Sequence, residues 1–120
     1  MAAKAALILA LGVGGQEGYA ARYSAGVMGH VADNRGIPRT SCMVALTSAR
    51  TITGDQWIWV LGRRTGRMRR CKIVDLPQDG DRVALQERGI VTELDRESAR
   101  IVCGGVDEPP SACPVVVWEE

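Results

Sequence analysis

The sequence predicts a small, mainly β fold, most simply a barrel of short strands, and three observations lead to this prediction. Short apolar runs alternate with segments that contain Gly, Pro, Asn or Asp, which is typical of strands joined by turns. Glycine is frequent, at 14 residues, whereas aromatic residues make up only 4% and phenylalanine is absent. A single segment late in the chain carries the signals of a helix. A barrel fits this pattern better than a sandwich or an alternating β/α arrangement.

The chain has 120 residues, which is the length of one domain. Apolar residues make up 46% and charged residues 24%, which is ordinary for a globular protein and excludes a disordered, collagen-like or coiled-coil chain. Fifteen basic and fourteen acidic side chains give a net charge of +1. The net charge therefore does not indicate a nucleic acid or an anionic membrane as partner.

Six strands are predicted in chain order, over residues 19–24, 42–46, 57–61, 68–75, 89–92 and 115–118. The third and fourth form a hairpin, whose turn at residues 64–67 contains Gly66 for a positive φ. One helix is predicted over residues 96–102, between Asp95 as the N-cap and Gly104 just past its end. Residues 25–41 and 77–89 are rich in Gly, Pro and Asp and are predicted to be loops.

Residues 1–20 have the pattern of a short secretory signal: Lys4, then an apolar run over residues 5–13, then small residues near Ala20. The run is shorter than the roughly 20 apolar residues that a membrane-spanning helix needs. A retained apolar segment that packs on the domain is the alternative. In either case residues 21–120 are predicted to form the domain, and export would place it in the periplasm, at the cell envelope or outside the cell.

The four cysteines are expected to be oxidised in an exported chain. Four cysteines allow three pairings. We predict the disulfides Cys42–Cys71 and Cys103–Cys113. The second would close a short loop in which Gly and Pro residues reverse the direction of the chain. A zinc site is the alternative, but the sequence has no C-x-x-C motif and His30 is its only histidine. We therefore expect no metal and no organic cofactor.

Several stretches resemble the double-psi β-barrel of rare lipoprotein A-like proteins, barwin, expansins and family 45 endoglucanases. The segment ARYS at 21–24 is similar to A-S-W-Y-G of the lipoprotein family, and VLGRRTGRMRRCKIVD at 60–75 to its V-T-N-x-x-N-G-R-x-x-x-V-R-I-N-D hairpin. The stretch KIVD at 72–75 also resembles V-R-I-V-D of barwin. IVTELDRESARIVCG at 90–104 is similar to the I-I-D-L-S-x-x-A-A-x-x-L-G strand and helix. The resemblance covers roughly residues 19–118 and implies a six-stranded double-psi barrel with one short late helix.

The resemblance makes Asp75 the candidate acid/base of a groove that binds or cleaves a glycan. The motif N-D-R-G-P is replaced here by Val74-Asp75-Leu76-Pro77-Gln78, and no histidine stands where the family has A-A-H. A carboxyl group at an apolar groove edge can have a raised pKa and protonate a glycosidic oxygen. A lytic transglycosylase needs one such group, whereas an inverting hydrolase needs a second carboxylate. The alternative is that Asp75 only accepts backbone hydrogen bonds.

Other residues are candidates for binding the glycan, and each has a structural alternative. Glu93 and Asp95 lie near the paired position by resemblance, but Asp95 is also a natural N-cap and Glu93 precedes it. Trp57 and Trp59 share one side of a strand, where they would stack on sugar rings if exposed or fill the core if buried. Tyr23 matches the family's groove tyrosine and could equally be a packing residue.

The predicted hairpin carries six cations and no acid among ten residues: Arg63, Arg64, Arg67, Arg69, Arg70 and Lys72. This basic patch suits an anionic polymer such as teichoic acid, the peptidoglycan carboxylates or nucleic acid. The net charge disfavours nucleic acid. The alternative is a solvated edge hairpin, on which basic residues prevent edge-to-edge pairing.

Three functions follow as hypotheses. The first is a cell-wall polysaccharide-binding module, directed at a peptidoglycan-like glycan, with an eroded catalytic groove. The second is a peptidoglycan lytic transglycosylase or glycosidase with Asp75 as acid/base. The third is a structural subunit of a virion, surface layer or membrane complex, assembled through the apolar N-terminus or the basic hairpin.

Overall fold

The computed structural model describes residues 15–23, 26–105 and 112–120. Within these ranges the chain forms a closed barrel of six strands with three short helices, which confirms the prediction of a small, mainly β, six-stranded barrel. The strands are β1 (Gln16–Arg22), β2 (Met43–Leu46), β3 (Trp57–Gly62), β4 (Met68–Asp75), β5 (Ile90–Leu94) and β6 (Ala112–Glu119). The helices are α1 (Val27–Asn34), α2 (Asp79–Glu87) and α3 (Arg96–Cys103).

Strand β1 begins at Gln16, three residues before the predicted start, so the barrel includes residues 16–20 of the N-terminal segment. The apolar run over residues 5–13 lies outside the described residues, as do Ser24 and most of the predicted loop between Cys103 and Cys113. Among the helices of the described ranges, none combines the length and the apolar character that crossing a bilayer requires.

The order of the strands around the barrel is β1-β5-β2-β4-β3-β6. The pairs β1–β5 and β2–β4 are parallel, and the other four pairs are antiparallel. Each strand therefore has a neighbour on both sides, and these six strands leave no free edge. The basic residues of the β3–β4 hairpin consequently do not protect an open sheet edge, which was one explanation for them.

The interior of the barrel is filled by small and β-branched side chains that alternate along the strands. Val44, Ile58, Val60, Ile73 and Val115 are fully buried and belong to one cluster with Leu94 of β5. Side chains fill the interior of a barrel of this size, and valine and alanine fit it without a phenylalanine. The absence of phenylalanine thus agrees with the observed core.

Two helices, α1 and α2, lie where loops were predicted, so the prediction of one helix is wrong. Helix α1 contains Gly29, but Met28 and Ala32 are four residues apart and bury one face against Ala45 and Val74 on the outside of the barrel. The helix ends before Gly36, whose φ of 69° closes the last turn. Tertiary packing has outweighed the weak helix propensity of this segment.

Helix α2 is held to the barrel by a buried arginine. Arg82 is 5% exposed, and its Nη1 donates hydrogen bonds to the carbonyl oxygens of Thr47 and Ala49 at 2.9 and 2.6 Å. The helix has acidic residues in its first turn, and Gly89 follows its C-cap. These end signals were present in the sequence, but Gly80 and Asp79 favoured the loop prediction.

Both predicted disulfides are present, and none of the four cysteines is free. Cys42–Cys71 joins the beginning of β2 to its parallel neighbour β4 inside the core. Cys103–Cys113 joins the end of α3 to β6. Two disulfides are compatible with an oxidising, extracytoplasmic environment.

Candidate functional site

The strand register brings two of the predicted carboxyl residues to the same side of the barrel. Ala45 on β2 pairs with Asp75 on β4 and, on its other side, with Glu93 on β5. A shift in register between Val44 and Ala45 sets the pairing with Asp75. The Cα atoms of Asp75 and Glu93 are therefore separated by about two strand spacings, or ~9.5 Å, with only an alanine between them. Two carboxyl side chains can approach each other across so small a residue.

Tyr23 completes this group, and we call Tyr23, Asp75 and Glu93 the carboxyl cluster. Tyr23 follows β1, and its backbone N–H donates to the carbonyl oxygen of Leu94 at 2.7 Å, which holds it beside β5. Its side chain packs against the buried residues beneath α1 and faces the carboxyl groups of Glu93 and Asp75, both of which contribute to raising its pKa. The structure thus brings together the three residues that the resemblance assigned to one groove.

Asp75 also forms an ion pair that the sequence analysis missed. Nη2 of Arg35, just after α1, donates to Oδ1 of Asp75 at 3.2 Å. The Asp75 side chain is 21% exposed and that of Arg35 is 42% exposed, so solvent reaches both. Because residues 25–41 were predicted to be a loop, nothing in the sequence indicated that this arginine would reach β4.

Glu93 has a raised pKa in this environment. Burial raises its pKa above the ordinary value of 4.5, and the negative charges of Asp75 and Asp81 raise it further. The hydrogen bond with Tyr23 and the positive charge of Arg88 oppose this shift. Burial, followed by Glu93 and then Asp75, also raises the pKa of Tyr23, so that the phenol stays protonated at any physiological pH. The raised pKa makes Glu93 suited to carry a proton.

Asp95, in contrast, acts as the N-cap of α3. Its side chain accepts a hydrogen bond from the backbone N–H of Ser98 at 2.7 Å, and its backbone is extended. The structural alternative given for Asp95 therefore accounts for its position. Asp95 also lines a depression of about 480 Å³ between α1 and α3.

Trp57 and Trp59 share the outer side of β3, as the alternation of side chains predicts, but they lie outside the carboxyl cluster. The guanidinium carbon of Arg70 is 4.0 Å from the centre of the Trp57 ring, and Nζ of Lys72 is 5.3 Å from it. Trp59 stacks on Trp118, with ring centres 6.5 Å apart. Both rings thus have protein groups against them and are only partly exposed. They do not form an open platform for sugars in this structure.

The cations of the basic patch differ in their partners. Arg70 forms two hydrogen bonds of 2.6 Å with the carboxylate of Glu120, and Arg69 donates to the carbonyl oxygen of Ser41. Lys72 is 8% exposed and lies against Trp57. Arg63, Arg64 and Arg67 are exposed at the turn between β3 and β4.

His30 is exposed on α1. Within residues 15–23, 26–105 and 112–120, no group of three or more His, Cys, Asp or Glu side chains is placed to hold a metal ion.

No family model matches this chain, and no curated protein is similar to it in sequence at a significant level. The carboxyl cluster must therefore be interpreted from its own chemistry.

Proposed function

We propose that this protein is an extracytoplasmic domain of the double-psi β-barrel class that binds a cell-wall glycan of the peptidoglycan type at the carboxyl cluster. The closed barrel, with two parallel strand pairs among its six strands, is compatible with that class. One observation carries the functional part: Asp75 and Glu93 flank Ala45, and both interact with Tyr23.

Such a group is suited to sugar recognition because carboxylates accept hydrogen bonds from vicinal hydroxyl groups and a tyrosine ring offers an apolar face to a pyranose. Arg35 compensates the negative charge on Asp75, so an uncharged sugar does not approach two unbalanced carboxylates. Loss of a hydrogen bond to a charged group costs about 1.5–3 kcal/mol, which corresponds to a tenfold or greater loss of affinity.

A second candidate function, cleavage of the same glycan, is favoured by the raised pKa of Glu93. A phenol has one proton, so Tyr23 can donate to only one carboxyl group at a time. Donation from Tyr23 to Glu93 lowers the pKa of that carboxyl group, but burial outweighs this effect, and Asp75 accepts from Arg35. A protonated Glu93 could then protonate a glycosidic oxygen. Asp75, the residue first assigned as acid/base, would act as the charged partner.

The experiment uses the disulfide-intact protein and purified peptidoglycan from which all attached anionic polymers have been removed. Binding is measured by pelleting, and cleavage by mass spectrometry of soluble muropeptides. We expect the wild-type protein to pellet and Asp75→Asn or Tyr23→Phe to weaken binding about tenfold. The control Glu87→Gln, an exposed glutamate on α2, should bind like wild type.

Soluble fragments that disappear in Glu93→Gln would establish the second function. If the wild-type protein neither pellets nor releases fragments, the glycan proposal is wrong, and the structural-subunit hypothesis takes its place.

A further inference from the structure

The turn between β3 and β4, together with α3, forms a second polar surface away from the carboxyl cluster. Arg63, Arg64 and Arg67 are exposed on the turn, and Arg100 is exposed on α3. We call these four residues the arginine surface. Two of them, Arg67 and Arg100, line an open depression of about 560 Å³ together with Thr65, Ile101, Gly104 and Gly105. Arg63 and Arg64 lie on the same turn but are not part of this lining.

Two of the four cations of the arginine surface have a carboxylate partner within the protein. Arg63 is 4.0 Å from Glu17, and both side chains are more than half exposed, so this pair contributes little. Arg100 hydrogen-bonds with Glu97 on the same exposed helix face. The side chains of Arg64 and Arg67 form no ion pair or hydrogen bond within the described part of the chain. Arg69 and Arg70, on the strand itself, are by contrast engaged with Ser41 and Glu120.

The closed barrel removes one structural explanation for the unpaired Arg64 and Arg67. Basic residues protect open sheet edges from pairing with other chains, but β3 and β4 each have neighbours on both sides. Their exposure also excludes a role in core packing. Their guanidinium groups are therefore available to bind an external anion.

The base of the turn is held rigidly against α3. Thr65 Oγ1 donates to the carbonyl oxygen of Val102 at 2.7 Å, and the backbone N–H of Arg63 donates to the carbonyl oxygen of Pro114 at 3.0 Å. Gly62 lies so close to Val102 that a Cβ atom would collide with its carbonyl oxygen. Little conformational freedom of the backbone is therefore lost when a ligand binds to this surface.

We propose that the arginine surface binds an anionic, non-nucleic polymer with phosphate or carboxylate groups repeated along its chain. Guanidinium groups pair with both anions through two parallel hydrogen bonds, and an open depression accepts a long chain rather than an enclosed small molecule. No aromatic side chain is among the described residues that line the depression, whereas single-stranded nucleic acids are held largely by aromatic stacking. This site is independent of the proposed glycan site.

The test measures binding of the disulfide-intact protein to immobilised poly(glycerol phosphate), polygalacturonate and single-stranded oligo(dT) over a series of salt concentrations. Wild type should bind one or both of the first two polymers more tightly than the DNA, and the preferred polymer identifies phosphate or carboxylate as the anion. Arg64→Ala/Arg67→Ala should weaken binding at least tenfold and lower the slope of log K against log salt by about one to two.

Two matched variants distinguish binding at the arginine surface from a general effect of the protein's net charge. Arg67→Ala and Arg50→Ala each remove one exposed positive charge, and only the first should reduce affinity. Glu93→Gln should bind the polymer like wild type, so failure of the glycan proposal leaves this result unchanged. Circular dichroism verifies that each variant is folded. Equal effects of Arg67→Ala and Arg50→Ala, binding to neither polymer, or tighter binding to DNA would each overturn the proposal.

Discussion

At the scale of single residues, Glu93 couples the stability of the fold to pH. Its pKa is raised in the folded state, chiefly by burial, so the native protein holds this proton at a higher pH than the unfolded chain does. The stabilisation is fully present below the unfolded value of about 4.5 and is lost as pH rises through the folded pKa. Glu93→Gln removes this titration. We therefore expect the variant to gain stability relative to wild type as pH rises above about 4.5 and through the folded pKa of Glu93.

Urea unfolding at a series of pH values measures this difference. Glu87→Gln serves as the control, because it removes a carboxyl group from the exposed surface of α2 and leaves the carboxyl cluster intact. The difference between wild type and Glu93→Gln should change with pH more than the difference between wild type and Glu87→Gln. A parallel pH profile for the two variants would contradict a raised pKa for Glu93.

Two glycines give a second prediction at the residue scale. At Gly62 a Cβ atom would collide with the carbonyl oxygen of Val102 and lie 2.7 Å from Oγ1 of Thr65, so Gly62→Ala should lower the free energy of unfolding by about 2 kcal/mol or more. At Gly80, inside α2, a Cβ atom would meet nothing within 4 Å. Gly80→Ala should raise the free energy of unfolding by about 0.5–1 kcal/mol. Denaturant titration of both variants is sufficient, and a stable Gly62→Ala protein would show that the turn is not packed tightly on α3.

At the scale of elements, the N-cap of α3 can be distinguished from a ligand-binding role for Asp95. Asp95→Ala removes the hydrogen bond to the Ser98 N–H and should cost about 1 kcal/mol, whereas Asp95→Asn retains a capping oxygen and should cost only a few tenths. Thermal unfolding measures the stabilities, and peptidoglycan pelleting measures binding. If Asp95→Asn is stable but no longer binds, Asp95 contacts the ligand in addition to capping the helix.

Strands were more predictable from the sequence than helices, and the reason lies in what holds each element. The run from Met68 to Asp75 is bounded by Gly66 and Pro77, and its predicted limits match β4. Helix α3 carries its own end signals, Asp95 and Gly104, and was predicted within one residue. Helix α1 is stabilised by burial of Met28 and Ala32 against strands that are distant in the chain, which local patterns do not reveal.

The candidate site likewise has parts that local sequence signals indicate and parts that depend on long-range packing. Tyr23, Asp75 and Glu93 could be named from the sequence because each matches, or lies near, a groove position of the family that the chain resembles. Their meeting depends on a register shift between β2 and β4, which no residue in the sequence indicates. Arg35 joins Asp75 only because α1 forms and packs outside the barrel. Long-range packing thus determines the parts of the site that the sequence analysis missed.

At the scale of the whole molecule, the two disulfides constrain the unfolded chain to different extents. Their cysteines are 29 and 10 residues apart in sequence, for Cys42–Cys71 and Cys103–Cys113 respectively. Loop-closure entropy assigns about 3.6 kcal/mol to the longer loop and about 2.7 kcal/mol to the shorter. Cys42 and Cys71 also fill the core, so their replacement by alanine leaves a cavity. We expect Cys42→Ala/Cys71→Ala to destabilise the protein more than Cys103→Ala/Cys113→Ala, by at least about 1 kcal/mol.

Denaturant unfolding of the two double variants under oxidising conditions tests this order, with fully reduced wild type as the lower limit. The reverse order would mean that fixing α3 against β6 matters more than loop length.

Loss of both disulfides removes about 6 kcal/mol, whereas small domains have a total stability of about 5–15 kcal/mol. Reduced protein should therefore lose a large share of its stability, and its midpoint of denaturation should fall far below that of the oxidised protein. A midpoint that does not change on reduction would remove this physical argument for an extracytoplasmic location.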